Sequence, residues 1–197
     1  MIFEAERGSH MPETESPGLM NDRVRSLIGR SSPVREMYGT VDVETVRRYI
    51  VGIPDQDPRH WDPSAAGTRF GSTTTPAVML HYIAGRQAPW LPDTLHDVMA
   101  ADPFNDTGYA PSDEGDGLPS IRSVAATRSH LHAGDQIEVL QYPKIGDRVF
   151  YQSRWVDIEE KTGRDGRPFL LVTHETRYWN QDDQVLLLVR GVGIERP

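Results

Sequence analysis

The stretch Thr75-Pro76-Ala77-Val78-Met79-Leu80-His81-Tyr82-Ile83-Ala84 decides the fold. Thr75 is a candidate cap, and Pro76 suits the first helical position, where its missing N–H costs nothing. The residues that follow are apolar on nearly every side of a helix spanning about 76–86. That length falls far short of the ~20 apolar residues needed to cross a bilayer. Such a helix belongs inside a core and needs a cover. The cover is written later in the chain. Residues 136–140, 148–158, 169–179 and 185–194 are rich in β-branched and aromatic side chains. Turn chemistry at 143–146, 162–166 and 180–183 separates them, which predicts an antiparallel meander. The expected architecture is α+β, a curved antiparallel sheet wrapped around one central apolar helix.

Working outward, Asp42 caps a predicted helix over 43–51, with Val43, Val46 and Ile50 at helical spacing and Gly52 and Pro54 as stops. Residues 1–11 contain Arg7-Gly8-Ser9-His10-Met11, which reads like the remnant of a cloning tag. Residues 12–33 read as a polar N-terminal arm, loosely packed or held by a partner, with a turn or two of helix within 22–28. Residues 34–197 then form a single domain. Residues 55–75 and 86–120 read mainly as loop, with a possible short helix over 95–100 and an exposed tip at 113–117.

Composition narrows the function classes. The chain has 197 residues, 37% of them hydrophobic and 25% charged, as expected for one globular domain. Twenty-one Lys and Arg against 29 Asp and Glu give a net charge of −8. With no basic run, electrostatic binding to nucleic acid or an anionic membrane is disfavoured. Cysteine is absent, which removes disulfides, thiol nucleophiles and thiolate metal sites. No signal-like segment stands in residues 1–35, so a cytoplasmic location is expected.

Chemistry concentrates in Asp55-Gln56-Asp57-Pro58-Arg59-His60. An acid and an imidazole five positions apart on a Pro-bent turn can face one small volume and hold a water between an acceptor and a proton carrier. On spacing alone the more ordinary reading is two aspartates that stiffen a turn and a histidine at the surface or in a cap.

This hexapeptide resembles the Asp-x-Asn-Pro-x-His signature of the MaoC-like enoyl-CoA hydratases and 3-hydroxyacyl dehydratases, which have the hot-dog fold. Trp61-Asp62-Pro63, Phe70-Gly71 before Thr75-Pro76, Gly134-Asp135-Gln136-Ile137-Glu138, Pro143-Lys144-Ile145-Gly146-Asp147 and Tyr178-Trp179-Asn180-Gln181-Asp182 continue the likeness in order. It runs from about Val34 to Arg196 and is strongest for single-domain chains with an N-terminal MaoC-like dehydratase domain. The resemblance implies addition of water to a 2-enoyl thioester to give an (R)-3-hydroxyacyl thioester, or the reverse. Asp55 would orient the water and His60 would be the principal acid/base. Asp57, Thr75, Ala77, Val78, Trp61 and Trp90 would line the substrate site. It further implies an acyl-CoA or acyl-carrier-protein substrate, no cofactor, no metal, and a dimer with itself or with a related hot-dog chain.

Two positions depart from the signature. Asp57 stands where the family has Asn, and Pro76 stands where catalytic members often have a Gly whose amide serves the thioester oxygen. A second reading is therefore a non-catalytic or partner-dependent subunit that shapes the acyl pocket of a heteromeric dehydratase. A thioesterase is disfavoured, because residues 76–85 hold no carboxylate. His81 and His174 read as structural, and His130 with His132 as a poor metal pair. Gly163-Arg164-Asp165-Gly166 reads as a hairpin turn. Gly191-Val192-Gly193 lacks the following helix of a dinucleotide fingerprint.

Overall fold

The computed structural model describes residues 18–53, 57–66, 73–83, 100, 118–122, 124, 125 and 127–197. Its elements are α1 (Asp22–Arg25), β1 (Arg35–Glu36), α2 (Val43–Gly52), a 3-10 turn (Pro58–His60), α3 (Pro63–Ala66), α4 (Met79–Ile83), β2 (Ser129–Val139), β3 (Val149–Thr162), β4 (Pro168–Asn180) and β5 (Val185–Arg196).

The strands make one five-stranded sheet in the order β1-β3-β4-β5-β2, every pairing antiparallel. Strands β3, β4 and β5 are the expected meander. Strand β2 departs from it by pairing with β5 rather than with its successor β3, so the chain crosses from one side of the sheet to the other after β2. β2 also begins at Ser129, seven residues before the predicted start. Short loops hold the meander's register: Gly166, with φ +76, allows the turn after β3, and the Gly163 amide donates to the Arg167 carbonyl at 2.8 Å. Across the sheet, Tyr151 faces Tyr178, which faces Leu187.

Alternate residues of β4 point to one face. Tyr178 at one end of that face joins a cluster with Met37, Val41, Val46, Ala77, Met79, Leu80, Ile83 and Leu187. Leu170 and Val172 at the other end join Leu19, Val24, Leu27, Ile121, Ala125 and Ile158. The N-terminal segment from Leu19 is thus packed against the sheet rather than loosely attached. Its short helix buries Val24 fully, with Asn21 as cap.

Helix α2 starts where Asp42 accepts from the Thr45 amide at 2.8 Å. Of its predicted apolar face, Val46 is buried and Ile50 partly so, while Val43 is exposed. The central helix also differs from expectation. Its regular part begins at Met79, after a tight turn in which the Met79, Leu80 and His81 amides donate three residues back, to Pro76, Ala77 and Val78. The Thr75 hydroxyl makes no capping bond. The helix is not buried all round: Met79, Leu80 and Ile83 are inside and Tyr82 is exposed. The predicted continuation past Ile83, the 95–100 helix up to residue 99 and the 113–117 tip lie outside the described residues.

Candidate active site

The site is built on three pieces of backbone latched together. The first is the 3-10 turn at Pro58–His60. The Asp57 carboxylate accepts from the Arg59 amide at 3.0 Å and Pro58 occupies the opening of the turn, so the sequence Asp-Pro is a local instruction for this bend. Asp57 also accepts from Arg59 Nε, at 2.9 Å to Oδ1 and 2.7 Å to Oδ2, and pairs with Arg59 Nη2. These bonds hold the Asp57 carboxyl well below its ordinary 3.8, at about 2. The Arg59 guanidinium is pushed upward by the same carboxylate and lies over the Tyr142 ring, 5.3 Å from its centroid.

The second piece is the extended run 73–75. The Thr74 amide donates to the Arg59 carbonyl at 2.9 Å, and the Thr74 carbonyl lies 2.8 Å from His60 Nδ1. A backbone carbonyl can only accept, so Nδ1 carries the proton in this contact, and the tautomer that results has its lone pair on Nε2. His60 is buried, at 9% exposure, which holds the ring in one orientation. The third piece is the connection after β2. The Thr75 amide donates to the Pro143 carbonyl at 3.0 Å, Thr74 bridges to Lys144, and the Tyr142 ring stands 6.4 Å from that of His60.

Of the residues singled out in the sequence, the structure gathers Asp57, His60 and Thr75, with Ala77 and Val78 in the turn that follows. Ala77 is buried and Val78 half-buried, and among the described residues no acceptor takes either amide. Pro76 is buried and has no amide to give. Trp61, expected to line the site, is 60% exposed. Asp55, Trp90 and Phe70-Gly71 lie outside the described residues. The sequence reading missed Thr74, whose carbonyl fixes the imidazole, and Tyr142. A main-chain acceptor has no residue signature. Residues 55–75 read mainly as loop, with Thr75 as a cap, and neither reading points to the Thr74 carbonyl.

The other histidines are held elsewhere. His81 Nδ1 is 3.1 Å from the Tyr178 hydroxyl and its Nε2 is 3.9 Å from Asp135, which also meets His132 Nε2 at 3.2 Å. His130 Nδ1 meets the buried Glu195 at 2.7 Å. The glycines of the Gly191-Val192-Gly193 run make room for imidazoles, since a side chain at 191 would collide with His174 and one at 193 with His130. Among the described residues no three His, Asp or Glu side chains are grouped to hold a metal, and no helix is long and apolar enough to cross a membrane.

No family model matches the chain, and no curated protein matches it. Solved structures do. The ChsH1–ChsH2 complex from Mycobacterium tuberculosis aligns with a TM-score of 0.65 at 12% identity, over 88% of this chain and 87% of that one. The C-terminally truncated HadBC (3R-hydroxyacyl-ACP dehydratase) complex from the same organism aligns at 0.54 and 12% identity, over 85% and 96%. A MaoC-like dehydratase from Rhodospirillum rubrum aligns at 0.51 and 18% identity, over 86% and 93%. At these identities the likeness speaks to architecture, and with the strand order above it assigns this chain the hot-dog fold in the form that MaoC-like dehydratases take.

Proposed function

We propose that this chain is a hydratase/dehydratase that interconverts 2-enoyl and (R)-3-hydroxyacyl thioesters, with Asp55 and His60 holding the reacting water. The observation that carries the reading is the setting of His60: a buried imidazole whose Nδ1–H donates to the Thr74 carbonyl, which fixes the tautomer with its lone pair on Nε2. That is what a general base needs before it meets its substrate. In the hydration direction the water oxygen bonds to C3 of the enoyl group while its proton passes to Nε2. The C2=C3 pair moves to C1–C2, and the carbonyl pair moves onto oxygen. The enolate then collapses and C2 takes the proton back from the imidazolium. Dehydration is the reverse sequence. Asp55 accepts a hydrogen bond from the second O–H of the water, which stays on the product hydroxyl, and so fixes the direction of attack. The substrate is an acyl-CoA or acyl-carrier-protein thioester.

The chain works as a pair with a second hot-dog chain, itself or a relative. What supports this is the edge strand β2, which bonds only to β5 among the described residues and leaves Leu131 exposed, with Val139 and Leu140 exposed at its end. Two of the solved structures it resembles are complexes of two different chains by their names.

The test is loss of enoyl-thioester absorbance with crotonyl-CoA and bulkier enoyl-CoA substrates, on purified protein and on His60→Ala. The expected result is turnover by the parent and a loss of about 10²–10⁴-fold in the variant. A folded parent with no turnover across the panel overturns self-sufficient catalysis. It favours the second reading, a partner-dependent subunit, for which the specific observation is Pro76, an imino acid at the position that would offer an amide to the thioester oxygen.

A further inference from the structure

Thr75 Oγ1 is the one buried side-chain polar atom among the described residues that lacks a hydrogen-bond partner. The residue is 0% exposed, so bulk solvent does not reach it. Leaving a buried hydroxyl unpaired is costly, and such an atom in a folded protein calls for an explanation. Valine has the same shape and would fill the site without that cost. Two backbone groups beside that hydroxyl are engaged: the Thr75 amide goes to Pro143, and the carbonyl just before it holds the His60 ring. The hydroxyl is therefore held out of water one residue after the carbonyl that binds the proposed acid/base, with nothing in the described chain to receive its proton.

The proposed reaction supplies the missing acceptor. When water adds to C3, the negative charge that develops comes to rest on the thioester carbonyl oxygen. That oxygen needs a donor aimed at it in a place closed to water, where such a bond is worth most. The next residue, Pro76, has no N–H. We propose that the Thr75 hydroxyl donates the hydrogen bond that stabilises the thioester oxygen, a side-chain donor in place of the main-chain one that Pro76 removes. The proton stays on Thr75 throughout: the hydroxyl bonds to the enolate oxygen while His60 takes the water proton and returns it to C2. This inference rests on the hydratase reading. It also removes the main ground for treating the chain as catalytically incomplete.

The experiment compares wild type with Thr75→Val, Thr75→Ser and Thr75→Ala on crotonyl-CoA, measuring kcat, KM and thermal midpoint for each. Thr75→Val keeps the shape and removes the hydroxyl. Its kcat is expected to fall about 10²–10³-fold with KM nearly unchanged, while the midpoint stays level or rises because the orphaned group is gone. Thr75→Ser keeps the hydroxyl and is expected within a few-fold of wild type. Ser and Ala both lack the methyl group at Cγ, so the Ser-to-Ala ratio isolates the hydroxyl even where Val packs badly; it is expected to be about 10² in kcat. Thr75→Val with wild-type kcat, or Ser and Ala with equal kcat, overturns the proposal and leaves the hydratase reading standing. A wild-type protein inactive on every thioester in the panel overturns both.

Discussion

The two apolar clusters lie on the same face of the same strand, yet they do different work. At one end of β4, Tyr178 packs under α2, α4 and the 76–78 turn; at the other, Leu170 and Val172 pack under the N-terminal segment and residues 121–125. Between them runs a polar belt, with the Ser153 and Thr176 hydroxyls bonded at 2.8 Å and the His174 ring lying over Gly191. The first cover is continuous in the chain with Thr75 and, through Thr74, with His60. The second carries none of the motif residues. Cores of equal burial therefore have unequal consequences: one supports the site, the other only the sheet.

The sharpest way to break this comparison is to make the same cavity on both sides. Leu80 and Leu170 are each 0% exposed. Leu80→Ala and Leu170→Ala are each expected to lower unfolding free energy by about 2–5 kcal/mol in denaturant titrations. Their catalytic effects should part. Leu80→Ala loosens the element that follows Thr75 and is expected to lower kcat by up to about 10²-fold, because small displacements of positioned groups are costly. Leu170→Ala, measured at a temperature where it remains folded, is expected to keep kcat within a few-fold. Equal losses in kcat would show that the belt transmits strain and that the two ends are one unit. A smaller cavity tests the far cover itself. Val24→Ala, in the N-terminal segment, is expected to cost about 2 kcal/mol. No change in its denaturation midpoint would return that segment to the status of a loose arm.

The same division governs what could be read in advance. The near cover was legible because its signals are local: Asp42 caps α2, Val46 falls at helical spacing, and the Pro76–Ile83 run is apolar at three of every four positions. The meander was legible because β3, β4 and β5 are rich in β-branched and aromatic residues and are separated by Gly, Asn and Asp turns. The far cover was not, since Leu19, Val24 and Leu27 are spaced among charged residues and gain their burial only from a sheet more than a hundred residues later. The first half of β2 was missed for a related reason. As an edge strand, exposed along most of its length, it has little burial to demand apolar residues, and His130 and His132, though compatible with one strand face, do not mark where a strand begins. In the site, Asp57 and His60 were legible through resemblance to the Asp-x-Asn-Pro-x-His signature, since their spacing alone favours an ordinary turn. The Thr74 carbonyl and the unpaired state of the Thr75 hydroxyl were not, because both are properties of how backbone segments meet.

The smallest expected effect concerns the turn that joins His60 to the near cover. Asp57 stands where the signature has Asn, and its carboxylate does two jobs: it accepts from the Arg59 amide and it pairs with the Arg59 guanidinium. Asp57→Asn keeps the first and removes the second. The loss expected at pH 7 is about 1 kcal/mol, since the pair is partly open to solvent and screened. The pH dependence gives the clearer readout. The folded protein holds the Asp57 carboxyl at about 2 against an ordinary 3.8, so the unfolded chain takes up its proton first as pH falls. The stabilisation is therefore complete above about pH 4 and lost as pH drops toward 2. Plotted as the difference in unfolding free energy between wild type and Asp57→Asn, it should be flat from neutral pH down to about 4 and then close. A difference that is absent at pH 7, or that persists unchanged at pH 2, would mean that the Asp-Pro bend alone sets the turn. The charge on Asp57 would then contribute nothing to holding the imidazole against Thr74.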